Sequence, residues 1–142
     1  MDNKCGYFFI SEHSLVVEVL KGFVHTSDYF KIKEAQIKDK NVLSAKNFLI
    51  DFRLNTNDFN FECMKNIYDK ASELASFYSR YKSSILADTP LQTAQSILFN
   101  SFSDAKGKIF AVFSSMERAL AFLFIDSAEK DFIEDKIADF IK

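Results

Sequence analysis

Residues 47–54 read Asn-Phe-Leu-Ile-Asp-Phe-Arg-Leu, and this stretch decides the fold. After the asparagine the run is apolar except for one acid, Asp51, and one base, Arg53. A run without alternation of apolar and polar residues is typical of a strand that is covered on both faces, as in a parallel sheet. We therefore predict a central strand here, followed by an exit loop over residues 55–57.

Helices and strands alternate after this strand. Residues 60–80 predict an amphipathic helix with Asn60 as a candidate cap. Its apolar positions are Met64, Ile67, Ala71, Leu74, Ala75 and Tyr78. Residues 83–88 predict a second buried strand, and Thr89-Pro90 predicts a helix start, because proline at the first helical position loses no hydrogen bond. The predicted inner face of that helix consists of Leu91, Ala94, Ile97, Leu98 and Phe102.

The C-terminal part repeats the alternation. Residues 104–107 predict a turn, residues 108–113 a last strand, and residues 114–117 a capping box of the Ser-x-x-Glu type. The helix after this box has an apolar face of Ala119, Leu120 and Leu123. Ser127 starts a final helix over about residues 127–142, which we expect to be an appended element. Its apolar side consists of Ile133, Ile137, Phe140 and Ile141.

The N-terminal part predicts a hairpin. Two apolar runs, residues 7–10 and 15–20, flank a four-residue polar break, which is typical of two antiparallel strands. Thr26 or Ser27 is the candidate cap of a first helix with sparse apolar positions, which are Phe30, Ala35 and Ile37. The order is β-β-α-β-α-β-α-β-α-α. We therefore predict an α/β fold: one domain over residues 1–142, with a mixed, mostly parallel sheet of about five strands, an N-terminal antiparallel hairpin and flanking helices.

Charge and composition exclude several classes of function. The chain has 142 residues with 18 basic and 20 acidic side chains, so its charge is nearly balanced. Binding along a nucleic-acid backbone needs a basic face. We interpret the most basic stretch, residues 31–46, as a solvated helix face and predict no nucleic-acid partner. With three glycines and one proline, the chain has no glycine-rich phosphate loop.

The cysteines and histidines predict no metal site and no cofactor. Cys5 and Cys63 are far apart and lie away from His13 and His25, so the sequence has neither zinc-ligand spacing nor a Cys–His dyad. The apolar run at residues 7–10 is too short for a secretory signal or a membrane span. Together with two lone thiols, this predicts a cytoplasmic protein.

Polar residues follow three of the predicted parallel strands, at the edge where ligands of open α/β sheets gather. These candidate site residues are Asp51, Arg53, Asn55, Thr56, Asp88, Thr89, Ser114 and Ser115. The helix N-termini at Thr89 and Ser115 present free N–H groups that suit an anion. The structural alternative is that Thr89 and Ser114 are helix caps and that Asp51 satisfies a neighbouring loop.

Catalysis has little support in this set. Asp51 as a phosphoacceptor needs a magnesium ion with further carboxylates, and the first strand ends in Ser11-Glu12 without an acidic pair. Asp51 and Asp88 as a general acid–base pair have no residue that fixes either one. We therefore expect a protein that is not an enzyme.

Phenylalanine is unusually abundant, with 17 residues and no tryptophan. Seven of these rings cannot all face inward on the predicted elements: Phe59, Phe61, Phe77, Phe99, Phe122, Phe124 and Phe132. Exposed aromatic clusters often mark interfaces, so we predict a homodimer through the C-terminal helices.

Three segments in order carry a family resemblance. They are Phe-Leu-Ile-Asp-Phe-Arg at 48–53, Ser-Ile-Leu-Ala-Asp-Thr at 84–89, and Val-Phe-Ser-Ser-Met-Glu-Arg-Ala-Leu-Ala-Phe-Leu at 112–123. The chain resembles the STAS-like superfamily of anti-sigma-factor antagonists and sulfate-transporter domains, and most of all small bacterial STAS-like proteins of unknown function.

The resemblance implies a non-catalytic regulatory module that binds a protein partner, or alternatively a domain for a nucleotide or lipid. Anti-sigma antagonists carry a phosphorylated serine after the strand that corresponds to residues 48–53. Here residues 55–62 contain no serine and no glycine, and Thr56 is the one hydroxyl. The fold therefore carries over better than the phosphorylation switch.

Overall fold

A computed structural model describes residues 2–75, 81–101 and 108–142. In this part of the chain the strands are β1 (Lys4–Ile10), β2 (Leu15–Lys21), β3 (Asn47–Asp51), β4 (Tyr81–Leu86) and β5 (Lys108–Phe113). The helices are α1 (Thr26–Gln36), α2 (Lys40–Ser44), α3 (Phe61–Ala75), α4 (Pro90–Ser101), α5 (Met116–Phe122) and α6 (Lys130–Phe140). The sheet order is β1-β2-β3-β4-β5, with β1 antiparallel to β2 and all other pairs parallel. The predicted α/β class with a mixed five-stranded sheet is confirmed.

The central strand β3 divides the core into two layers. Leu49 is fully buried against α5 and α6, whereas Phe48 and Ile50 point to the other face. We call these the α5–α6 face and the α1–α4 face. The strand ends at Asp51, earlier than residue 54, because the Asp51 carboxylate accepts a hydrogen bond from the Arg53 N–H and turns the chain.

The α5–α6 face holds the larger hydrophobic cluster, in which strand residues such as Val17 and Leu49 meet Leu120, Ile133 and Ile137. The predicted apolar sides of both C-terminal helices are confirmed by this burial. The last segment begins with a 3-10 turn over Ser127–Glu129, and α6 follows it. The helix that we expected to be appended therefore contributes two fully or nearly fully buried residues to the main cluster.

The N-terminal hairpin is confirmed, with Ile10 paired to Leu15 and Lys4 paired to Lys21. A 3-10 turn over Ser11–His13 connects the strands, and Ser14 has a left-handed backbone with φ of 48°. β2 is buried along almost its whole length because it lies between β1 and β3.

The first helical region differs from the prediction in two ways. His25, not Thr26 or Ser27, is the N-cap residue of α1, and the buried residues of the helix are Tyr29 and Gln36 instead of the predicted apolar positions. The additional short helix α2 begins after Asp39, whose carboxylate accepts from the Asn41 N–H. Its five residues are too few for a periodic signal in the sequence.

The orientation of α4 is also different from the prediction. Leu91, Ala94 and Ile97 are exposed, and the buried residues are Gln92, Gln95, Ser96 and Phe99. The helix is rotated because its two glutamine side chains bind main-chain atoms of the loop after β3.

The predicted helix caps have mixed outcomes. Asn60 and Thr89 accept hydrogen bonds from Cys63 N and Gln92 N, as expected for caps of α3 and α4. At α5 the cap is Ser115, whose side chain accepts from Arg118 N, so the predicted Ser-x-x-Glu box beginning at Ser114 is wrong. The predicted turn at 104–107 and the end of the predicted helix at 76–80 lie outside the described residues.

The seven phenylalanines that were predicted not to face inward together differ in their exposure. Phe61, Phe124 and Phe132 are exposed, Phe59 and Phe122 are half-buried, and Phe99 is buried. Phe77 lies outside the described residues. The prediction that these rings do not all face inward is confirmed.

The contact between Gly6 and Phe140 leads to a first prediction. A Cβ atom on Gly6 would lie 2.6 Å from the Phe140 ring, so Gly6→Ala has to displace this ring from β1. We expect a loss of about 1–3 kcal/mol in the free energy of unfolding, measured by urea denaturation. In the Phe140→Leu background the same alanine should be neutral or stabilising, because alanine is otherwise better than glycine in a strand. Equal effects in both backgrounds would contradict the packing of α6 on β1.

Candidate binding site

The carboxyl end of β3 carries an ion-paired group instead of a free acid. Asp51 is 4% exposed, and its two carboxylate oxygens each accept a 2.9 Å hydrogen bond from the Arg53 guanidinium. Arg53 also donates to Glu134 on α6 at 2.7 Å. The hydrogen bonds that Arg53 donates to Asp51 raise the pKa of Arg53 above its ordinary value, so the guanidinium stays charged. Asp51 and Arg53 thus hold α6 to the end of the central strand.

Asn55 belongs to a buried network of amide side chains. Its Nδ2 donates to the Gly22 carbonyl at 3.2 Å and to Asn57 Oδ1 at 2.8 Å, and its Oδ1 accepts from Asn57 N. Asn57 in turn bonds both the N–H and the carbonyl of Val24. Thr56 is exposed, and its N–H donates to the Gly22 carbonyl. The loop after β3 is therefore joined to the loop after β2.

The start of α4 is joined to the same network. Asp88 and Thr89 are exposed, and their N–H groups donate to Gln92 Oε1 at 2.7 and 3.2 Å. Gln92 Nε2 donates to the carbonyls of Arg53 and Asn55, and Gln95 Nε2 donates to the Asn57 carbonyl. Asn57, Gln92 and Gln95 are not among the residues predicted for this site from the sequence. The available signal was the spacing of Gln92 and Gln95, which puts two polar side chains on one face of the predicted helix.

Ser114 and Ser115 follow β5, the neighbour of β4. Ser114 is exposed, and Ser115 caps α5. The eight candidate residues thus lie at three adjacent strand ends. Five of these side chains form hydrogen bonds within the chain: Asp51, Arg53, Asn55, Thr89 and Ser115. This arrangement matches the structural alternative for Thr89 and Asp51 and leaves few polar groups directed at a ligand.

A separate apolar cavity of about 70 Å³ lies on the α1–α4 face beside these strand ends. Its walls come from the sheet and from three helices, and they include Leu20, Phe52, Ile85, Tyr29, Met64 and Phe99. The hydroxyl-bearing residues in the lining are Thr26, Tyr29 and Ser96. The sequence analysis did not predict this cavity, because a void depends on how side chains from distant elements meet.

A buried charge lies beside the cavity on the same face. Glu18 in the middle of β2 is 2% exposed, and its Oε2 accepts from Lys33 Nζ and, at 2.8 Å, from Gln36 Nε2. Glu18 Oε1 is buried and has no hydrogen-bond partner among the described residues. Burial, together with the nearby Glu18 charge, raises the pKa of the Tyr29 hydroxyl well above its ordinary value.

The described part of the chain contains two thiols. Cys5 and Cys63 are free and half-buried. Burial, assisted by the charges of Glu18 and Asp28, raises the pKa of Cys5 to about 12, so its thiol is protonated at neutral pH. Within residues 2–75, 81–101 and 108–142, no group of three or more His, Cys, Asp or Glu side chains could hold a metal ion. None of the helices described there is long and apolar enough to cross a membrane.

Comparison with known proteins defines the class of fold. The chain is similar to the crystal structure of an uncharacterised protein from the DUF3478 family with a SpoIIAA-like fold from Shewanella loihica PV-4. The TM-score is 0.58 and the sequence identity 16%, and the match covers 87% of this chain and 98% of that chain. No protein-family model and no curated protein matches the sequence. The protein therefore has a SpoIIAA-like, or STAS-like, fold.

The ion-paired group gives a second prediction. Arg53→Met should lower the free energy of unfolding by about 3 kcal/mol, because it leaves the buried Asp51 carboxylate without a counter-charge. Glu134→Gln is the matched control and should cost less than about 1 kcal/mol, because that side chain is one-third exposed. Urea denaturation at neutral pH measures both. Similar losses for the two variants would show that Asp51 does not depend on Arg53.

Proposed function

We propose that this protein is a non-catalytic binding module of the cytoplasm that takes up a small apolar molecule in the cavity on the α1–α4 face. The observation that supports this proposal is the cavity itself, which lies at the carboxyl ends of the strands and is lined almost entirely by apolar side chains. Ligand sites of open α/β sheets occur at this end, and apolar concave pockets are their common form. The two free thiols, Cys5 and Cys63, support the assignment to a reducing compartment.

The size and chemistry of the cavity favour a short alkyl group over an aromatic ring or a nucleotide. An apolar cavity of about 150 Å³ accommodates benzene, so the present volume suits a short alkyl group unless the helices move apart. A nucleotide needs several free donors and acceptors, and the polar side chains of the adjacent strand ends are mostly engaged within the chain.

A thermal-shift experiment with Ser96→Leu tests the ligand proposal and is our third prediction. Ser96 is buried and lines the cavity, so leucine should fill it. For the unaltered protein we expect the Tm to rise with short straight-chain alcohols and to stay constant with nucleotides, because a ligand that binds the native state stabilises it by mass action. The Ser96→Leu variant should show no rise.

Ser101→Leu is the matched control, because it introduces the same side chain on an exposed position of the same helix. It should respond to the apolar ligands like the unaltered protein. If the short alcohols raise the Tm of the Ser96→Leu variant equally, the cavity is not their site.

A protein partner is the second candidate function, and a separate surface supports it. Phe23, Leu54 and Leu91 are 49%, 42% and 51% exposed and belong to three neighbouring segments at the strand ends. Hydrogen bonds connect these segments: Gly22 N donates to the Leu54 carbonyl, and Gln92 Nε2 donates to the Arg53 carbonyl. Exposed apolar side chains on adjacent loops are typical of a protein interface.

Our fourth prediction concerns this surface. In pull-downs from cells of the native host, the unaltered protein and an Ile97→Asp control should retain the same stoichiometric partner, and a Leu54→Asp/Leu91→Asp variant should lose it. Ile97 is exposed on α4 like Leu91 but lies away from the strand ends, so it controls for a new charge on that helix. Equal retention by all three proteins would exclude these two leucines from the interface.

A further inference from the structure

An open groove lies along the outer edge of the sheet, away from both sites above. Within the described residues β1 pairs with β2 alone, so the main-chain groups along its other side have no strand partner. An unprotected edge strand is a template for pairing with another chain. A groove of about 500 Å³ follows this edge, with β1 as one wall and α6 as the other.

The two walls run antiparallel to each other. Near the end of β1, His13 lies 3.5 Å from Glu129, which precedes α6, and near its start Gly6 faces the Phe140 ring at the other end of the helix. Between these points the groove is lined by aromatic and aliphatic side chains together with the charged side chains of Lys136 and Asp139 on α6. Phe8 and Phe140 have ring centroids 5.4 Å apart, and Phe132 is 40% exposed.

The charges at the start of β1 and just after its end have opposite sign. Lys4 at the start of β1 is exposed, and its Nζ lies 4.9 Å from the centre of the Phe140 ring. Glu12 is exposed and lines the groove at the other end of the strand. A strand that is basic at its start and acidic after its end is complementary to itself when a second copy runs antiparallel.

We propose that β1 of a second copy of this chain occupies the groove and pairs antiparallel with β1 about a two-fold axis. In the register that places Phe8 opposite Phe8 of the second copy, residues 6–10 of the two copies pair, and Lys4 of each copy lies next to the 3-10 turn that carries Glu12 of the other. Aromatic cross-strand pairs stabilise such an edge, and the same surface patch serves both copies. The two five-stranded sheets then form one continuous sheet with an α6 helix of each copy beside the junction. The proposed dimer adds β1 to the interface that we predicted for the C-terminal helices. It does not depend on the cavity on the α1–α4 face.

Sedimentation equilibrium of the full chain tests this proposal and is our fifth prediction. We expect a mass of twice 16.3 kDa at micromolar concentrations. Lys4→Glu and Glu12→Lys should each raise the dimer dissociation constant about tenfold or more, because each places like charges at both ends of the junction. The double variant should return to within about threefold of the unaltered protein, because it restores both pairs in reverse.

Arg118→Glu and Asp88→Lys are the matched controls, because they reverse exposed charges on α5 and before α4, away from β1. They should leave the dissociation constant unchanged. In hydrogen–deuterium exchange, the amides of β1 should exchange more slowly as the protein concentration rises.

Three outcomes would overturn the proposal. The first is a monomer throughout the micromolar range, and the second is a dimer that is insensitive to both single reversals or is not restored by the double variant. The third is a monomer whose β1 amides become protected only when an extended peptide is added, because this would assign the groove to a different occupant.

Discussion

The main-chain groups at the carboxyl ends of the strands are shielded from water and need hydrogen-bond partners within the protein. The rest of the structure depends on how these groups are paired. Asn57 joins the loop after β2 to the loop after β3, and Gln92 joins the latter to the start of α4. An unpaired buried N–H or carbonyl costs about 1–3 kcal/mol, so these three segments can meet only because amide side chains are present. The same packing places Val24 and Phe52 in the wall of the cavity on the α1–α4 face. Most polar side chains at the strand ends are engaged in hydrogen bonds within the chain.

Two buried carboxylates fix the helices on opposite faces of the sheet. Glu18 points to the α1–α4 face and binds Lys33 of α1, whereas Asp51 points to the α5–α6 face and binds Arg53, which reaches Glu134 of α6. Losing one partner of such a pair is costly, because the remaining charge stays buried. The pairs therefore determine where α1 borders the cavity and where α6 lies along the edge strand.

Much of the fold could be predicted because the buried residues of its strands and helices follow local sequence patterns. The run at residues 48–50 predicted the central strand, the polar break at 11–14 predicted the hairpin, and the spacing of Leu120, Ile133 and Ile137 predicted two helices of the core. The inner face of α4 could not be predicted in this way. Its orientation is set by Gln92 and Gln95, whose hydrogen bonds to a distant loop outweigh the burial of Leu91 and Ile97.

The sequence predicted where the candidate residues lie in the sheet, but not what their side chains contact. The strand-end rule placed Asp51, Asn55 and Thr89 at adjacent strand ends, but a sequence does not show whether a polar side chain faces a ligand or its own main chain. Here most of them face the chain itself. Two apolar features lie next to these residues. They are the cavity beside Phe52 and the exposed side chain of Leu54, two residues further along the same loop. Because Gln92 donates hydrogen bonds to the carbonyls on either side of Leu54, the start of α4 fixes the loop that joins Phe52 in the cavity wall to the exposed Leu54.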